Sequence, residues 1–219
     1  MGELPEVKFD WIGYWSEVKL DIIKDYAGAY SKILSAHRFH HIYIDGFAGP
    51  GVSFSKKTSE FIFGSPLKAL VEVTPPFSEY HFIDINKNKA ALLNEVVGAV
   101  PNVHVHAGDC NPILLDLVFP LVRYEDYRRG LCVLDPYGLH LRWEVLQAAG
   151  HMGTIEIFLN FPIMDINRRV IRHDPSKVHK NDIIRMNTFW GDESWKEVAY
   201  STTQDLFRHP TKVDNETLA

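Results

Sequence analysis

Hydrophobic and polar positions follow two patterns that alternate along the chain. Short apolar runs that end in an acidic or amide residue predict strands, and longer segments with an apolar residue every three or four positions predict helices. The predicted strands are Ile42–Asp45, Glu79–Ile85, Val103–Ala107, Gly130–Leu134 and Thr154–Asn160. The predicted helices are Glu17–Ala36, a helix that begins at Ser65-Pro66, and then Asn86–Val97, Pro112–Leu121 and Arg142–Gly150. Because strand and helix alternate five times, we expect an α/β fold, a Rossmann-like three-layer αβα sandwich around a doubly wound parallel sheet.

The segments outside this alternation are predicted as additions to one domain. Residues 1–40 form an N-terminal aromatic segment, irregular up to the N-cap Ser16, and a helix packed on the core. Residues 41–163 form the core, in which Val52–Phe63 is expected to be a loop or lid. Residues 164–219 form a basic helical extension, with helices over Met164–His173 and near Glu193–Tyr200.

Composition narrows the class of protein. The 219 residues are 46% hydrophobic and 23% charged, as in an ordinary globular domain. The two cysteines, Cys110 and Cys132, lie in or beside predicted strands and are expected to be buried thiols of a cytoplasmic protein. We find no basic-then-apolar signal peptide and no apolar run long enough to span a bilayer, so no membrane partner is expected.

Charge indicates that any nucleic-acid surface must be local. The formal net charge of -5 gives no global attraction to phosphates. The one sizeable basic concentration is the candidate nucleic-acid site, and it consists of Arg168, Arg169, Arg172, Lys177, Lys180 and Arg185. A solvated basic helix explains the same residues equally well.

The glycine-rich turn after the first predicted strand is the main candidate for a ligand site. It runs from Asp45 through Gly46-Phe47-Ala48-Gly49-Pro50-Gly51. Its spacing fits neither the phosphate loop GxxxxGK[ST] nor the dinucleotide pattern GxGxxG. Asp45 would repel a phosphate, whereas an acid beside bare backbone suits a ligand with a cationic amine, such as S-adenosylmethionine (SAM). The alternative is a glycine-rich turn without a ligand.

Two further acids end the second and third predicted strands. Asp84 is placed to accept hydrogen bonds from ribose hydroxyls, or alternatively to cap the helix that follows. Asp109 lies where an adenine amine could be recognised. The predicted cofactor site therefore comprises Asp45, Gly46, Phe47, Ala48, Gly49, Gly51, Ser65, Asp84, Ile85, Asp109 and Cys110.

The fourth predicted strand ends in Asp135-Pro136-Tyr137-Gly138, and the first three of these are the predicted catalytic residues. An exocyclic amine of a base needs acceptors for its hydrogens before it can attack a methyl group, and a carboxylate and a main-chain carbonyl supply them. An aromatic ring can hold the base by stacking, which requires a flipped or single-stranded nucleotide. The alternative is a common turn.

His37, His40 and His41 crowd the approach to the first predicted strand. No cysteine or acid lies at ligand spacing near them, so a solvated helix end is expected and no metal site is predicted.

Five segments in this order resemble the three-Cys-motif partner (TcmP) family. They are Ile44–Gly51, Gly64-Ser65-Pro66-Leu67, Phe82-Ile83-Asp84, Gly108-Asp109-Cys110-Asn111 and Leu134-Asp135-Pro136-Tyr137-Gly138. The pattern Phe47-x-Gly49-x-Gly51 also resembles amino-group DNA methyltransferases. Asp135-Pro136-Tyr137-Gly138 is similar to the DPFG motif of tRNA guanine dimethyltransferases, and it differs from the commoner DPPY in having one proline fewer.

The resemblance implies a class I SAM methyltransferase that acts on a base of RNA or DNA at an exocyclic amine, with SAM as cofactor. It also implies a partner, a radical-SAM-like protein with a three-cysteine motif. The alternative is a non-catalytic methyltransferase-fold subunit of that partner, with or without SAM. Methyltransferases of this class add a hairpin of two strands after the fifth strand. We expect this hairpin to be missing here, since no apolar run after Phe158-Leu159 is long enough for it.

Overall fold

The structure is a computed structural model that describes residues 10–172, 174–204 and 210–212. The strands are β1 Trp11–Ile12, β2 His40–Asp45, β3 Val52–Ser55, β4 Phe61–Phe63, β5 Glu79–Asp84, β6 Val103–Ala107, β7 Arg128–Leu134, β8 Ile155–Leu159, β9 Tyr200–Gln204 and β10 Pro210–Lys212. The α-helices are α1 Tyr14–Ala36, α2 Ser65–Leu67, α3 Lys87–Val97, α4 Cys110–Pro112, α5 Trp143–Met152, α6 Ile163–Arg169, α7 Lys180–Trp190 and α8 Trp195–Ala199. Short helical segments continue some of them: the π-helices Lys68–Glu72 after α2 and Ile113–Val118 after α4, then the 3-10 turns Phe119–Leu121 and Pro175–Lys177.

A five-stranded parallel sheet in the order β6-β5-β2-β7-β8 lies at the centre of the fold, flanked by helices. All five predicted strands are present in it, so the α/β prediction is confirmed, and the sheet is compatible with a Rossmann-like fold. β2 is the middle strand, and its residues Ile42, Tyr43 and Ile44 are fully buried, as their continuous apolar run requires. The strand order reverses between β2 and β7, and in open sheets of this kind such a point is where ligands bind.

The chain divides into two compact units, and each is described by itself. The first comprises Met1–Leu134 with Ala149–Phe158, and the second comprises Asp135–Ala148 with Leu159–Ala219. Unit one contains the glycine turn and the ends of β5 and β6. Unit two contains Asp135-Pro136-Tyr137 and the basic residues.

The core of unit one lies between α1 and one face of the sheet. Ile23 and Ala27 of α1 pack with the aromatic side chains of Tyr43, Phe77 and Phe82. The rings of Tyr43 and Phe77 meet edge to face at 5.4 Å between centroids, a favoured geometry for aromatic pairs. α1 therefore fixes the position of β2, and with it the position of the glycine turn that follows.

Unit two is closed around helices α6, α7 and α8. Ile166, Met186 and Trp195 are buried, and the rings of Phe161 and Phe189 are 5.6 Å apart. α7 ends at Gly191, whose φ of +108° favours glycine.

The N-terminal prediction needs correction. Residues 11–12 form β1, and α1 begins at Tyr14 with Gly13 as N-cap, not at Glu17 after Ser16. The backbone N–H groups of Ser16 and Glu17 both donate to the carbonyl of Gly13, at 3.0 and 3.2 Å, so the first helical turn is already formed before Ser16.

The segment predicted as a loop or lid is a hairpin. β3 and β4 pair antiparallel, and β1 pairs parallel with β3. The sequence did not predict these strands because polar residues separate their aromatic residues. The rings of Phe54 and Phe61 are 4.1 Å apart and Trp11 stacks on Phe54 at 5.2 Å, so the small sheet has an aromatic face of its own.

Two other predictions change in detail. The helix after the hairpin is capped by Gly64, with Ser65 as its first residue, and not by Ser65. The hairpin that methyltransferases of this class add to the central sheet after the fifth strand was expected to be missing; β9 and β10 do pair antiparallel. In the described part of the chain this pair forms a sheet separate from the five-stranded one. Among the described residues, no helix combines the length and the apolar character needed to cross a bilayer.

Candidate functional site

The turn after β2 is held at the carboxyl edge of the sheet by hydrogen bonds to both neighbouring strands. The N–H of Gly46 donates to the carbonyl of Val133 in β7 at 3.0 Å, and the N–H of Ala48 donates to the carbonyl of Ile83 in β5 at 2.9 Å. The Asp45 carboxylate is buried and accepts a hydrogen bond from the N–H of Phe47 at 3.1 Å. The turn is therefore a fixed part of the sheet edge.

The glycines of this turn serve different purposes. Gly51 has a φ of +81°, and a Cβ there would lie 2.8 Å from Leu93. A Cβ on Gly46 would lie 2.8 Å from Leu134, so close packing explains both positions. Gly49 has a φ of +63°, yet nothing lies within 4 Å of the place its Cβ would occupy. No side chain fills the space beside Gly49. This space is therefore the part of the turn that has room for a ligand.

Asp84 joins the end of β5 to this turn. One carboxylate oxygen accepts from the N–H of Gly49 at 2.8 Å, and the other accepts from the N–H of Asn86 at 2.7 Å. The helix after β5 is capped by Asn86, whose side chain accepts from Asn88 and Lys89. Asp84 therefore holds the glycine turn in place by a hydrogen bond and is not the cap of α3. Each of its carboxylate oxygens can accept a second hydrogen bond, so Asp84 can also accept hydrogen bonds from ligand hydroxyls.

Ile85 follows Asp84 directly and is 74% exposed. A large apolar side chain at a sheet edge, beside an acid, suits the face of an aromatic base. The end of β6 lies at the same edge, because the N–H of Gly108 donates to the carbonyl of Asp84 at 2.9 Å. Asp109 accepts from the backbone and side-chain nitrogens of Asn111 at 3.0 and 2.7 Å and caps α4.

Cys110 and Ser65 complete the predicted cofactor residues. Cys110 is buried, and its Cβ is 3.8 Å from the place a Cβ on Gly46 would take. The N–H of Gly64 donates to the carbonyl of Gly51 at 2.7 Å, so Ser65 begins α2 beside the end of the turn. The structure thus brings together the ends of β2, β5 and β6, as the sequence predicted.

In unit two, Asp135 is oriented by an amide. The Nδ2 of Asn160 donates to one carboxylate oxygen of Asp135 at 2.7 Å. Pro136 is buried, Tyr137 is 79% exposed, and Gly138 has a φ of +66°. The ring of Tyr137 is thus exposed to solvent, two residues after Asp135, whose carboxylate is held by Asn160. Asn160 was not predicted as a site residue, although it ends a predicted strand, which is the signal that could have identified it.

The predicted basic surface is partly neutralised. Within α6, Asp165 pairs with Arg168 at 2.5 Å and with Arg169 at 3.8 Å. Lys177 pairs with Asp174 at 3.4 Å. Arg172, Lys180 and Arg185 are exposed. Arg168 and Arg169 are therefore the weaker candidates for phosphate contacts.

The Cys132 thiol is not suited to thiolate chemistry. Both cysteines are buried and are not joined in a disulfide. Burial raises the pKa of the Cys132 thiol well above its ordinary value, and the nearby Cys110 and Asp45 raise it further. The thiol stays protonated at neutral pH, and the protonated form is not a nucleophile.

Comparison with known proteins does not identify a family for this chain. No family model and no curated protein matches the chain. The similar solved structures include protein LPL1258 from Legionella pneumophila str. Philadelphia 1, of the family model DUF519, with 15% identity and a TM-score of 0.46. The similarity covers 62% of this chain and 65% of the other, so it extends over less than two thirds of that protein. It supports no conclusion about function.

Proposed function

We propose that this chain is a SAM-dependent methyltransferase that acts on a nucleic-acid base at an exocyclic amine. The observation that carries the proposal is the contact between Asp84 and Gly49. It joins an acid at the end of one strand to a left-handed glycine at the end of the neighbouring strand, beside open space and an exposed Ile85. This set of groups offers hydroxyl acceptors, bare backbone and an apolar face, and it contains no lysine for a phosphate.

The residues present fit SAM. Asp84 would accept hydrogen bonds from the ribose hydroxyls, Ile85 would pack on the adenine, and Asp109 would accept from the adenine amine. The backbone beside Gly49 would border the cofactor's amino acid end, where the buried charge of Asp45 favours the ammonium. Gly46, Phe47, Ala48, Gly51, Ser65 and Cys110 would shape this edge. When bound, SAM supplies an electrophilic methyl group on its sulfonium.

Asp135-Pro136-Tyr137 would hold the target base. Asn160 fixes the orientation of the Asp135 carboxylate, so that the carboxylate accepts a hydrogen of the amine without having to reorganise. The carbonyl that precedes Pro136 can accept the second hydrogen. Tyr137 would stack on the base, which its exposure permits. The role of these residues is thus to orient the amine and to draw its hydrogens out of the plane of the base, so that the nitrogen lone pair can attack the methyl group.

Binding is tested by calorimetry with SAM, its demethylated product and NAD. The unmutated protein is expected to bind SAM and the product but not NAD. Asp84→Asn is expected to weaken SAM binding by about 10–100-fold, which corresponds to the loss of hydrogen bonds to a charged acceptor. Asp116→Asn, an exposed acid of the same unit, is the matched control and should leave binding unchanged. NAD binding without SAM binding, or equal affinities in the two variants, would contradict the proposal.

Transfer is tested with labelled methyl groups and total RNA or DNA. Asp135→Ala is expected to lower transfer by roughly a hundredfold or more while SAM affinity stays nearly unchanged, because the carboxylate acts on the amine. Tyr137→Ala is expected to cost about 1–3 kcal/mol of stacking. The assay is run with and without a radical-SAM-like three-Cys-motif protein. A protein that binds SAM yet labels nothing under all these conditions would be a non-catalytic partner subunit and not an enzyme.

A further inference from the structure

A cluster of histidines surrounds one glutamate at the end of β5 that lies opposite Asp84. Glu79 begins β5, His81 lies two positions further on the same face, and His104 is the register partner of His81 in β6. The Oε1 of Glu79 is 3.1 Å from the Nε2 of His81 and 3.4 Å from the Nε2 of His104. The ligand atoms of the three residues all lie within 4.8 Å of one another.

We propose that Glu79, His81 and His104 bind a zinc-like divalent transition-metal ion. Two imidazoles and one carboxylate form a common zinc ligand set, and imidazole nitrogen favours such ions over magnesium or calcium. Zinc bonds of about 2.0–2.1 Å in a tetrahedral site separate neighbouring ligand atoms by roughly 3.3–3.4 Å. The two distances from Glu79, 3.1 and 3.4 Å, already match this separation. Only a small movement of the exposed His104 is needed to complete the three-ligand site.

A second layer of residues fixes the orientation of these ligands. The other oxygen of Glu79 contacts the Nε2 of His40 at 3.3 Å and accepts from the guanidinium of Arg128 at 3.4 Å. The Nδ1 of His81 is 3.1 Å from the Nε2 of His106. When His81 donates its Nδ1 hydrogen to His106, its Nε2 lone pair faces Glu79 and His104. Partners of this kind commonly support metal-binding histidines.

A metal ion here would cross-link β5 to β6, which is an outer strand of the five-stranded sheet. Metal binding to the folded state should therefore raise the thermal stability of unit one. The site is independent of the proposed methyl transfer, since Glu79 and Asp84 are at opposite ends of β5. Failure of one proposal leaves the other intact.

The test is calorimetry of untagged, chelator-treated protein with Zn²⁺, with Mg²⁺ as a comparison. We expect one Zn²⁺ per chain and no comparable binding of Mg²⁺. His104→Gln should weaken Zn²⁺ binding by about 100-fold or more, since loss of a supporting residue alone costs 10–100-fold. His37→Gln, the same substitution at an exposed histidine outside the cluster, should leave it unchanged.

Thermal unfolding supplies a second readout. Zn²⁺ should raise the Tm of the unmutated protein and of His37→Gln, but not that of His104→Gln. Glu79→Gln keeps the side-chain shape but removes the anionic ligand, and it should abolish the shift as well. Absence of Zn²⁺ binding, or equal affinity and equal Tm shifts in His104→Gln and His37→Gln, would overturn the proposal and leave an ion-free hydrogen-bond cluster.

Discussion

Two glycines of the turn after β2 share a left-handed backbone but not their surroundings, and this difference makes a prediction. Alanine at either position costs about 1–2 kcal/mol because of its Cβ in this conformation. At Gly51 the Cβ also meets Leu93 at 2.8 Å, which adds an overpacking cost of about 1–3 kcal/mol. Gly51→Ala should therefore lower the free energy of unfolding more than Gly49→Ala, as measured by urea denaturation.

The effect of Gly49→Ala on SAM binding gives a second prediction, separate from its effect on stability. The space beside Gly49 is open, so Gly49→Ala places a methyl group where the proposed cofactor would lie. Calorimetry should show SAM affinity falling in Gly49→Ala by about tenfold or more, a cost near 1.4 kcal/mol. If Gly49→Ala binds SAM as tightly as the unmutated chain, the open space has another use.

A buried histidine makes stability depend on pH. Burial lowers the pKa of His41 below its ordinary value of 6.5, and the nearby His40 lowers it further. The ring packs between α1 and Phe77, with its Nε2 2.8 Å from the Oγ of Ser31 and its Nδ1 3.1 Å from the carbonyl of Phe39. The expected solvated helix end is therefore wrong for His41.

The sign of the pH effect follows from this lowered pKa. Below about pH 6.5 the unfolded chain binds a proton that the folded chain resists, so the contribution of His41 is present above that pH and lost as pH falls toward the folded pKa. The loss is at most about 1.4 kcal/mol per pH unit. Urea denaturation at pH 7.5 and 5.5 should show a steeper fall in the unmutated protein than in His41→Gln. Equal falls would mean that His41 titrates alike in both states.

The sequence identified the acids at the strand ends because each ends an apolar run, a local signal. Asp45, Asp84 and Asp109 lie at one edge of the sheet as expected. Asn160 was missed as a site residue because its partner Asp135 lies on another segment. The cluster of Glu79, His81 and His104 was missed for the same reason: β5 and β6 bring its members together, and no spacing along the chain shows it.

At the scale of elements, the two faces of α1 predict unequal costs of truncation. Ile23 is 3% exposed and packs in the core of unit one, whereas its neighbour Ile22 is 53% exposed. Ile23→Ala should lower the free energy of unfolding by about 2–5 kcal/mol, and Ile22→Ala should change it by no more than about 0.5 kcal/mol. Chemical denaturation of the two variants measures the difference. A similar loss in both would mean that α1 packs with another face toward the sheet.

Element boundaries were less predictable than the elements themselves. β2 and β7 of the central sheet were found because continuous apolar runs mark strands covered on both sides. The hairpin of β3 and β4 was missed because its aromatic face is small and mixed with polar residues. The π-helical segments after α2 and α4 fall outside a 3.6-residue period, so a helical pattern cannot distinguish them from α-helix.

At the scale of the whole molecule, charge decides how nucleic acid can bind. The chain has 23 basic and 28 acidic residues, so its general field repels phosphates. Binding therefore depends on local groups of basic residues. Arg168 and Arg169 share Asp165, which reduces their contribution. The exposed Arg172, Lys180 and Arg185 are better placed to release counterions from a strand.

This distinction gives the last prediction. For single-stranded RNA, each phosphate contact contributes about 0.7 to the slope of log affinity against log salt concentration. Replacement of Arg172, Lys180 and Arg185 together by glutamine should lower that slope by roughly 2. Replacement of Arg168 and Arg169 by glutamine should lower it by clearly less than the roughly 1.4 that two full contacts would give. Fluorescence anisotropy over a range of salt concentrations measures both slopes. If the double variant loses as much per residue as the triple variant, Asp165 does not neutralise its arginines toward RNA. If neither variant changes the slope, these basic residues do not contact RNA.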